Sequence, residues 1–178
     1  KVPARFNLME INGATVIVDY GHNVSSLTAI LEAIEHFPHL KRSALYSTAG
    51  DRRDCDITRQ GELLAGAFDR VFIYEDHYLR GREPGEIMHL LREGLAKGTR
   101  AKDIHAITGW SNAMSTALRM IQPGELLLVQ ADVVDEAVGW LKNYLAETVA
   151  VSGNGAGVGV GAPLNGHHAV LHVSDEIR

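Results

Sequence analysis

Residues 14–26 read "ATVIVDYGHNVSS", an apolar run with the character of a buried strand that stops at Asp19 and gives way to a polar turn. After this turn, apolar residues recur at the spacing of one helix face, and the pattern ends near Pro38. Those apolar residues are Leu27, Ile30, Leu31 and Ile34. A strand that passes through a short turn into a helix is the first half of a β-α-β unit, so this stretch predicts an α/β fold.

The same alternation of strand and helix continues along the chain. Further strands are predicted at 42–49, 70–75, 103–108 and 125–131, and apolar residues at helical spacing mark 56–68, 87–95, 114–121 and 134–145. Such alternation favours right-handed crossovers and a mainly parallel sheet that is buried on both faces. We therefore predict a Rossmann-like α/β fold with helices on both faces. An α+β domain with helices on one face only is the alternative.

An extra strand is predicted before the opening stretch, at residues 5–11. It is joined to the strand at 14–20 by Asn12-Gly13, a dipeptide preferred in tight hairpin turns. The prediction is an antiparallel hairpin at one edge of the sheet.

The length and composition limit the classes of protein to consider. The 178 residues suit one domain, and 17 basic against 22 acidic residues leave a net charge of −5, which argues against a nonspecific nucleic-acid binder. Cys55 is the only cysteine, so the sequence allows no intrachain disulfide and no cysteine-based zinc site. No apolar run reaches the roughly 20 residues of a membrane-spanning helix, and no signal peptide is recognisable. We expect a cytoplasmic protein, and we interpret a start at Lys1 as a piece of a longer chain.

The composition divides the chain into two parts. Residues 1–150 are predicted to form the domain, whereas 151–178 include the glycine-rich run "SGNGAGVGVGAPLNG" and are predicted to be a flexible tail. His167, His168 and His172 lie in this tail. We assign no metal site to them, since three histidines without a shaped pocket do not make a site.

Polar residues follow four of the predicted parallel strands. Because the carboxyl ends of parallel strands meet at one edge of a sheet, these residues are expected to lie together. Any one loop has a simpler interpretation: Asn23 or Ser25 as a helix cap, Asp51 in an Asx-turn, and "EDHYLRGRE" as a solvated loop. In chain order the residues are Asp19, His22, Asn23, Asp51, Arg52, Glu75, Asp76, Arg80, Arg82 and Asp132.

The residue types at this edge suit a charged or zwitterionic substrate near a nucleotide. Convergent arginines bind carboxylates or phosphates, and the carboxylates among them suit an ammonium group, a guanidinium group or a divalent ion. His22 is a candidate base, phosphate donor or buried structural group. The sequence has no glycine-rich phosphate-binding motif after a predicted strand, so any ATP would need a second domain.

Three of these loops resemble the signatures of one known family. "VDYGHN" resembles D-(Y/G)-(A/G)-H-N, "AGDRRD" resembles G-x-G-D-R-D, and "EDHYLRGREPGEI" resembles a third loop that often reads D-x-P-R followed by E-(E/D)-P. In this order along residues 4–147, they are similar to the C-terminal domain of the Mur ligase superfamily. Val24 replaces a usual proline, and the third loop leaves open whether Arg80 or Arg82 matches the family arginine.

The resemblance implies the C-terminal lid of an ATP-dependent amide ligase. It implies ATP and Mg²⁺ held mainly by a central P-loop domain that this chain lacks, together with an amino-acid and a polypeptide substrate. The loops are most similar to a branch that joins arginine to the aspartate side chains of a poly-aspartate backbone through an acyl phosphate. Another Mur-type ligase and a stand-alone nucleotide- or amino-acid-binding module are the alternatives. The isolated domain is expected to be inactive, and the sequence leaves a homo-oligomer open.

The resemblance also implies roles for individual residues. Asp19 and His22 are expected to be catalytic and, with Asn23, to face the ATP. The residues expected to bind the substrates are Asp51, Arg52, Glu75, Asp76, Arg80, Arg82 and Asp132.

Overall fold

The computed structural model of the chain describes residues 7–153, with side chains as far as residue 147. Within these residues strands and helices alternate after an initial hairpin. The strands are β1 (Asn7–Ile11), β2 (Ala14–Asp19), β3 (Arg42–Tyr46), β4 (Arg70–Glu75), β5 (Asp103–Thr108) and β6 (Leu126–Gln130). The helices are α1 (Val24–Ile34), α2 (Asp54–Ala67), α3 (Glu86–Leu95), α4 (Trp110–Met120) and α5 (Val134–Gly153).

The strands form a single sheet in the order β1-β2-β6-β3-β4-β5. Only β1 runs antiparallel to its neighbour, and the other pairs are parallel. Asn12 and Gly13 take positive φ values of 53° and 76° at the hairpin turn, as this tight connection requires. The predicted parallel sheet with a hairpin at its edge is confirmed.

Two apolar cores lie on opposite faces of the sheet. Along β6, Leu126 and Leu128 point into the core formed with α1, α2 and α3, whereas Leu127 and Val129 point into the core formed with α4 and α5. Successive side chains of a strand point to opposite faces of the sheet, so a strand buried on both faces places alternate residues in each core. The prediction of helices on both faces is confirmed, and the one-face alternative is wrong.

Some element boundaries differ from those predicted. β3 ends at Tyr46 rather than residue 49 because the chain then leaves the sheet: the Ser47 amide binds a side chain, the Gln130 Oε1, at 3.2 Å. α5 continues to Gly153, beyond the predicted domain boundary at residue 150. The rest of the predicted tail, with His167, His168 and His172, lies outside the described residues. In the described part of the chain no helix has the length and apolar character to cross a membrane.

Candidate functional site

The sheet order brings five loops to one edge, here called the carboxyl edge. Because β2, β6, β3, β4 and β5 are successive parallel neighbours, the segments that follow them emerge side by side. We call residues 19–23 the first loop, 47–53 the second loop, 75–85 the third loop and 130–133 the last loop; the segment after β5 passes directly into α4 at Trp110. The candidate residues of the sequence all lie in these four named loops.

The first loop is held by its own polar groups. The Asp19 Oδ2 accepts a hydrogen bond from the Gly21 amide at 2.7 Å, and the Nδ1 of buried His22 lies 2.9 Å from the Tyr20 carbonyl oxygen. Because a carbonyl only accepts, Nδ1 carries the proton and Nε2 of a neutral ring is left as an acceptor. The histidine ring is thus oriented by the backbone.

Asn23 is the N-cap of α1. Its Oδ1 accepts a hydrogen bond from the Ser26 amide at 2.9 Å, and its backbone is extended, as is usual for a cap. The structure therefore confirms that Asn23 caps a helix, whereas its expected contact with ATP stays a prediction.

The second and third loops are bound to each other through two arginines that differ in exposure. Arg82 has a side chain only 12% exposed, and it donates to the carbonyl oxygens of Gly50 at 2.7 Å and Arg52 at 2.6 Å. Arg80 is 38% exposed and lies 3.2 Å from Asp51 Oδ2. The pair of Arg80 and Asp51 is therefore open to solvent, whereas Arg82 is bonded within the protein.

Two carboxylates of the third loop also differ in environment. Glu75 is 5% exposed, and its Oε1 accepts a hydrogen bond from the Gly85 amide at 2.5 Å. Its Oε2 has no hydrogen-bond partner within the described residues. Asp76, one residue on, has a side chain 51% exposed. Glu75 therefore lies beneath the loop, and Asp76 lies on its surface.

Gln130 connects three strands at this edge and was not assigned a role from the sequence. Its buried Oε1 accepts a hydrogen bond from the Ser47 amide at 3.2 Å and lies 3.4 Å from the Tyr74 hydroxyl. Its Nε2 lies 3.5 Å from Asp132 Oδ1. In the sequence, this polar connection was indicated by a glutamine at the end of the otherwise apolar strand "LLLVQ".

A cleft of about 290 Å³ opens between the ends of β4, β5 and β6 and the first turns of α4 and α5. Among the residues that the structure describes, three carboxyl side chains line it, and no lysine, arginine or histidine does. Clustered carboxylates attract a cation, because each lowers the electrostatic free energy of a positive charge placed between them. The lining residues are Tyr74, Asp76, Gly109, Trp110, Ser111, Asn112, Ala131, Asp132, Val133, Glu136 and Ala137.

The environment of Tyr74 fits this acidic character. Burial, followed by the charges of Asp132 and Asp76, raises the pKa of the Tyr74 hydroxyl. The hydroxyl therefore stays protonated, and it donates to the Gln130 carbonyl oxygen at 3.3 Å. Glu136 was not among the predicted residues, because its position in the first turn of α5 is an ordinary place for an acidic residue.

Six of the ten predicted residues lie in three places along the carboxyl edge. Asp19 and His22 lie in the first loop, Asp51 and Arg80 form a surface pair, and Asp76 and Asp132 share the cleft with the unpredicted Glu136. Within the described side chains, no group of three or more histidine, cysteine or acidic residues is arranged to hold a metal ion.

Comparisons with known proteins match this chain to one family. The family model described as "Mur ligase, glutamate ligase domain" matches residues 4–133. The cyanophycin synthetase of Synechocystis sp. is 29% identical over 142 residues, and that of Crocosphaera subtropica is 30% identical over 138 residues. These matches cover 80% and 78% of this chain but only 16% of each synthetase. The chain therefore spans about a sixth of the length of these relatives.

Solved structures with low sequence identity share the fold. A UDP-N-acetylmuramoyl-L-alanyl-D-glutamate–2,6-diaminopimelate ligase superposes with a TM-score of 0.62 at 19% identity, covering 72% of this chain and 26% of that one. The E. coli FolC structure in complex with ADP gives a TM-score of 0.61 at 18% identity, covering 82% of this chain and 33% of that one. In both, the matched part is about a third or less of the longer protein.

Proposed function

Because the chain belongs to the Mur ligase, glutamate ligase domain family, as its loop motifs predicted, we propose that it is the C-terminal lid of an ATP-dependent amide ligase. The proposed reaction joins arginine, through its α-amino group, to the aspartate side chains of a poly-aspartate backbone. The similarity to cyanophycin synthetases supports this branch of the family. The choice of a cationic substrate is supported by the cleft, which has three carboxylates and no basic side chain among the described residues that line it.

The proposed reaction has two steps. The side-chain carboxylate of an aspartate takes the γ-phosphoryl group of ATP, which forms an acyl phosphate and releases ADP. The α-amino group of arginine then attacks the acyl carbon, phosphate leaves, and the nitrogen loses a proton as the amide forms. A closing lid protects the acyl phosphate from water, which would otherwise hydrolyse it.

The first loop is proposed to face the nucleotide. Asp19 is held by the Gly21 amide, and His22 is held through Nδ1, so Nε2 is available to accept a proton or a hydrogen bond. Preorganised polar groups of this kind act without the cost of reorienting during the reaction. Asn23 keeps the loop joined to α1 while it lies beside the nucleotide.

The second loop and Arg80 are proposed to bind the amino and carboxyl ends of the incoming amino acid. The Nε of Arg52 is buried and has no hydrogen-bond partner in the described residues, so a substrate carboxylate that displaces the groups covering it would satisfy this donor. The exposed pair of Arg80 and Asp51 offers a cation for a carboxylate and an anion for an ammonium group. We propose that Glu75, bonded to the Gly85 amide, supports the third loop from below.

The cleft is proposed to hold the guanidinium group of arginine. Asp76, Asp132 and Glu136 provide the negative charge, and the Trp110 indole provides a flat aromatic surface for stacking. The same carboxylates would disfavour an acidic side chain through repulsion.

ATP and Mg²⁺ are proposed to be held mainly by a P-loop domain on another part of a longer chain. Exposed apolar side chains at the carboxyl edge are consistent with a surface that such a domain covers. Tyr20 is 56% exposed, Tyr78 is 75% exposed and Val133 is 50% exposed. Since the reaction uses ATP, we propose a cytoplasmic location.

The test is an assay of the full-length protein with ATP, poly-aspartate and a panel of amino acids. Release of ADP that depends on arginine supports the proposal, and release that depends on another amino acid selects a different Mur-type ligase. The coding sequence upstream of Lys1 separates the alternatives as well. An ATP-grasp region followed by a P-loop selects the proposed enzyme, a P-loop alone selects another ligase, and a nearby start codon selects a binding module.

A further inference from the structure

We propose that Arg82 is a positioning residue that fixes the second loop for substrate binding and does not itself contact substrate; this rests on the proposed ligase function. All three guanidinium nitrogens of Arg82 are bonded within the domain. Nε donates to the Gly50 carbonyl oxygen at 2.7 Å, and Nη2 donates to the Arg52 carbonyl oxygen at 2.6 Å. Nη2 also lies 2.7 Å from Asp54 Oδ1, and Nη1 donates to Glu86 Oε1.

The two carbonyl groups bound by Arg82 lie before and after the pair Asp51-Arg52. The bond to the Gly50 carbonyl oxygen restricts the peptide plane that precedes Asp51, and the bond to the Arg52 carbonyl oxygen restricts the peptide plane that follows Arg52. A guanidinium group is planar and always charged, so it binds several fixed acceptors at once in a way that a lysine ammonium does not. Arg82 thereby sets where the proposed substrate-binding side chains leave the backbone.

The carboxylates bound by Arg82 belong to the first residues of two helices. Asp54 begins α2 and Glu86 begins α3, so one side chain connects both helix starts to the second loop. The side-chain hydrogen bond with Asp54, followed by that with Glu86, raises the pKa of the Arg82 guanidinium. Arg82, Asp54 and Glu86 thus form one ion-paired junction between the second loop and the starts of the two helices.

The two helices leave little room for this junction to shift. A Cβ on Gly61 of α2 would lie 2.3 Å from the Leu91 carbonyl oxygen, and one on Gly94 of α3 would lie 2.0 Å from the Thr58 carbonyl oxygen. The backbones of the two loops are equally close, because a Cβ on Gly50 would lie 2.1 Å from the Leu79 carbonyl oxygen. The second loop, the third loop and the two helices therefore pack as one unit around Arg82.

Arg80 is the arginine of the third loop that remains for a ligand. Within the described residues its guanidinium has one ion-pair partner, Asp51, and it stands 5.9 Å from the centre of the Tyr78 ring at the surface. Its backbone has a φ of 50°, and the following Gly81 has a φ of 89°. These left-handed residues turn the chain between the two arginines, so that Arg80 faces outward and Arg82 inward.

The kinetic test is a double-mutant cycle in the full-length enzyme. Arg82→Ala is expected to raise the KM for arginine about tenfold, as loss of hydrogen bonds to a charged group would. In the Arg52→Ala background, Arg82→Ala is expected to raise the KM for arginine by less than about twofold more. If Arg82 acts through Arg52, its loss has little further effect once Arg52 is removed. Effects that multiply in the double mutant would overturn the proposal, since they indicate an independent contact with substrate.

Hydrogen exchange on the 178-residue chain tests the positioning role without relying on ligase activity. Arg82→Ala is expected to speed amide exchange at residues 49–54 by about tenfold or more, whereas the control Arg92→Ala, on the exposed side of α3, leaves it unchanged. Exchange equal to wild type in Arg82→Ala would overturn the proposal. Where Arg82→Ala does not fold, Arg82→Lys replaces it, with faster exchange at 49–54 still expected because lysine lacks the planar fork. A wild-type enzyme without ligase activity would instead refute the proposed function and leave this exchange result standing.

Discussion

The Thr48 hydroxyl donates a hydrogen bond to the His22 carbonyl oxygen at 3.2 Å. Both residues are buried, at 7% and 8% exposed, so the bond joins the second loop to the first loop out of reach of water. Our proposal assigns the first loop to the nucleotide and the second loop to the incoming amino acid. This contact therefore connects the two halves of the proposed reaction site within one domain.

Thr48→Val is expected to lower the free energy of unfolding by about 1–3 kcal/mol, because it leaves the buried His22 carbonyl oxygen without its donor. Thr48→Ser is the matched control, since it keeps the hydroxyl and removes only a methyl group. Urea unfolding followed by circular dichroism measures both. Equal stability of the valine and serine variants would contradict the importance of the hydrogen bond.

His22→Ala in the full-length enzyme is expected to lower kcat about a hundredfold, which is the usual range for loss of a proton-transfer group. Asp19→Ala is expected to act in the same direction. The control is His36→Ala, which changes an exposed histidine just beyond α1. Circular dichroism should show that all three variants stay folded. Wild-type turnover in both first-loop variants would refute the assignment of this loop to the nucleotide.

Arg52→Ala is expected mainly to raise the KM for arginine, by about tenfold or more, because a charge-assisted hydrogen bond to the substrate carboxylate is lost. Arg53→Ala is the control, since the neighbouring arginine has a side chain 79% exposed and pairs with Asp56 on α2. Steady-state kinetics at saturating ATP measures both. An unchanged KM in Arg52→Ala would refute its role in substrate binding.

Glu136→Gln and Asp132→Asn are expected to raise the KM for arginine about tenfold, because each removes a charge from the proposed guanidinium cleft. Citrulline, which has nearly the shape of arginine without its charge, should lose little by the same changes. Glu32→Gln, an exposed carboxyl on α1, is the control. Equal losses with arginine and citrulline would argue against recognition of charge in the cleft.

Asp69 is expected to make folding stability depend on pH. The Arg100 guanidinium, followed by the Arg42 amide at 2.8 Å, lowers the pKa of its carboxyl below the ordinary value. Because the folded-state pKa is lowered, the stabilisation is present above the unfolded-state pKa of about 4 and is lost as the pH falls through the folded-state value. Asp69→Asn should therefore be less stable at pH 7 and lose less stability on acidification.

Urea unfolding between pH 7 and pH 3 measures this dependence. Glu147→Gln is the control, because this carboxyl is exposed on α5. A variant at Asp69 whose stability falls with pH as steeply as that of the wild type would show that the ion pair with Arg100 does not contribute.

The sequence predicts the fold well because the decisive patterns are local. The run ending at Asp19, the Asn12-Gly13 turn and the apolar strand before Gln130 each contain enough residues to define a strand or a turn. The carboxyl edge follows from parallel strands. The predicted end of β3 was less accurate. The Ser47 amide leaves the strand pairing and donates a hydrogen bond to the side chain of Gln130, which lies 83 positions away in the sequence.

The details of the site depend on tertiary structure. Arg80 and Arg82 are two residues apart in one loop, and only the left-handed turn through Gly81 decides which of them is buried. Glu136 and Asp76 line the same cleft because β6 and β4 are both neighbours of β3 in the sheet, and sheet order is not encoded in any short segment. Local sequence therefore predicts which loops matter, whereas long-range packing decides which side chains reach a ligand.

Arginine incorporation into poly-aspartate, measured by mass spectrometry together with ADP release, tests whether the protein is an arginine-adding ligase. The full-length protein with ATP, Mg²⁺, poly-aspartate and arginine is expected to attach arginine to aspartate side chains and to release one ADP for each amide formed. The 178-residue chain alone is expected to form none. Full-length protein that releases no ADP in response to arginine, or amide formation by the 178-residue chain alone, would contradict its assignment as the lid of an arginine-adding ligase.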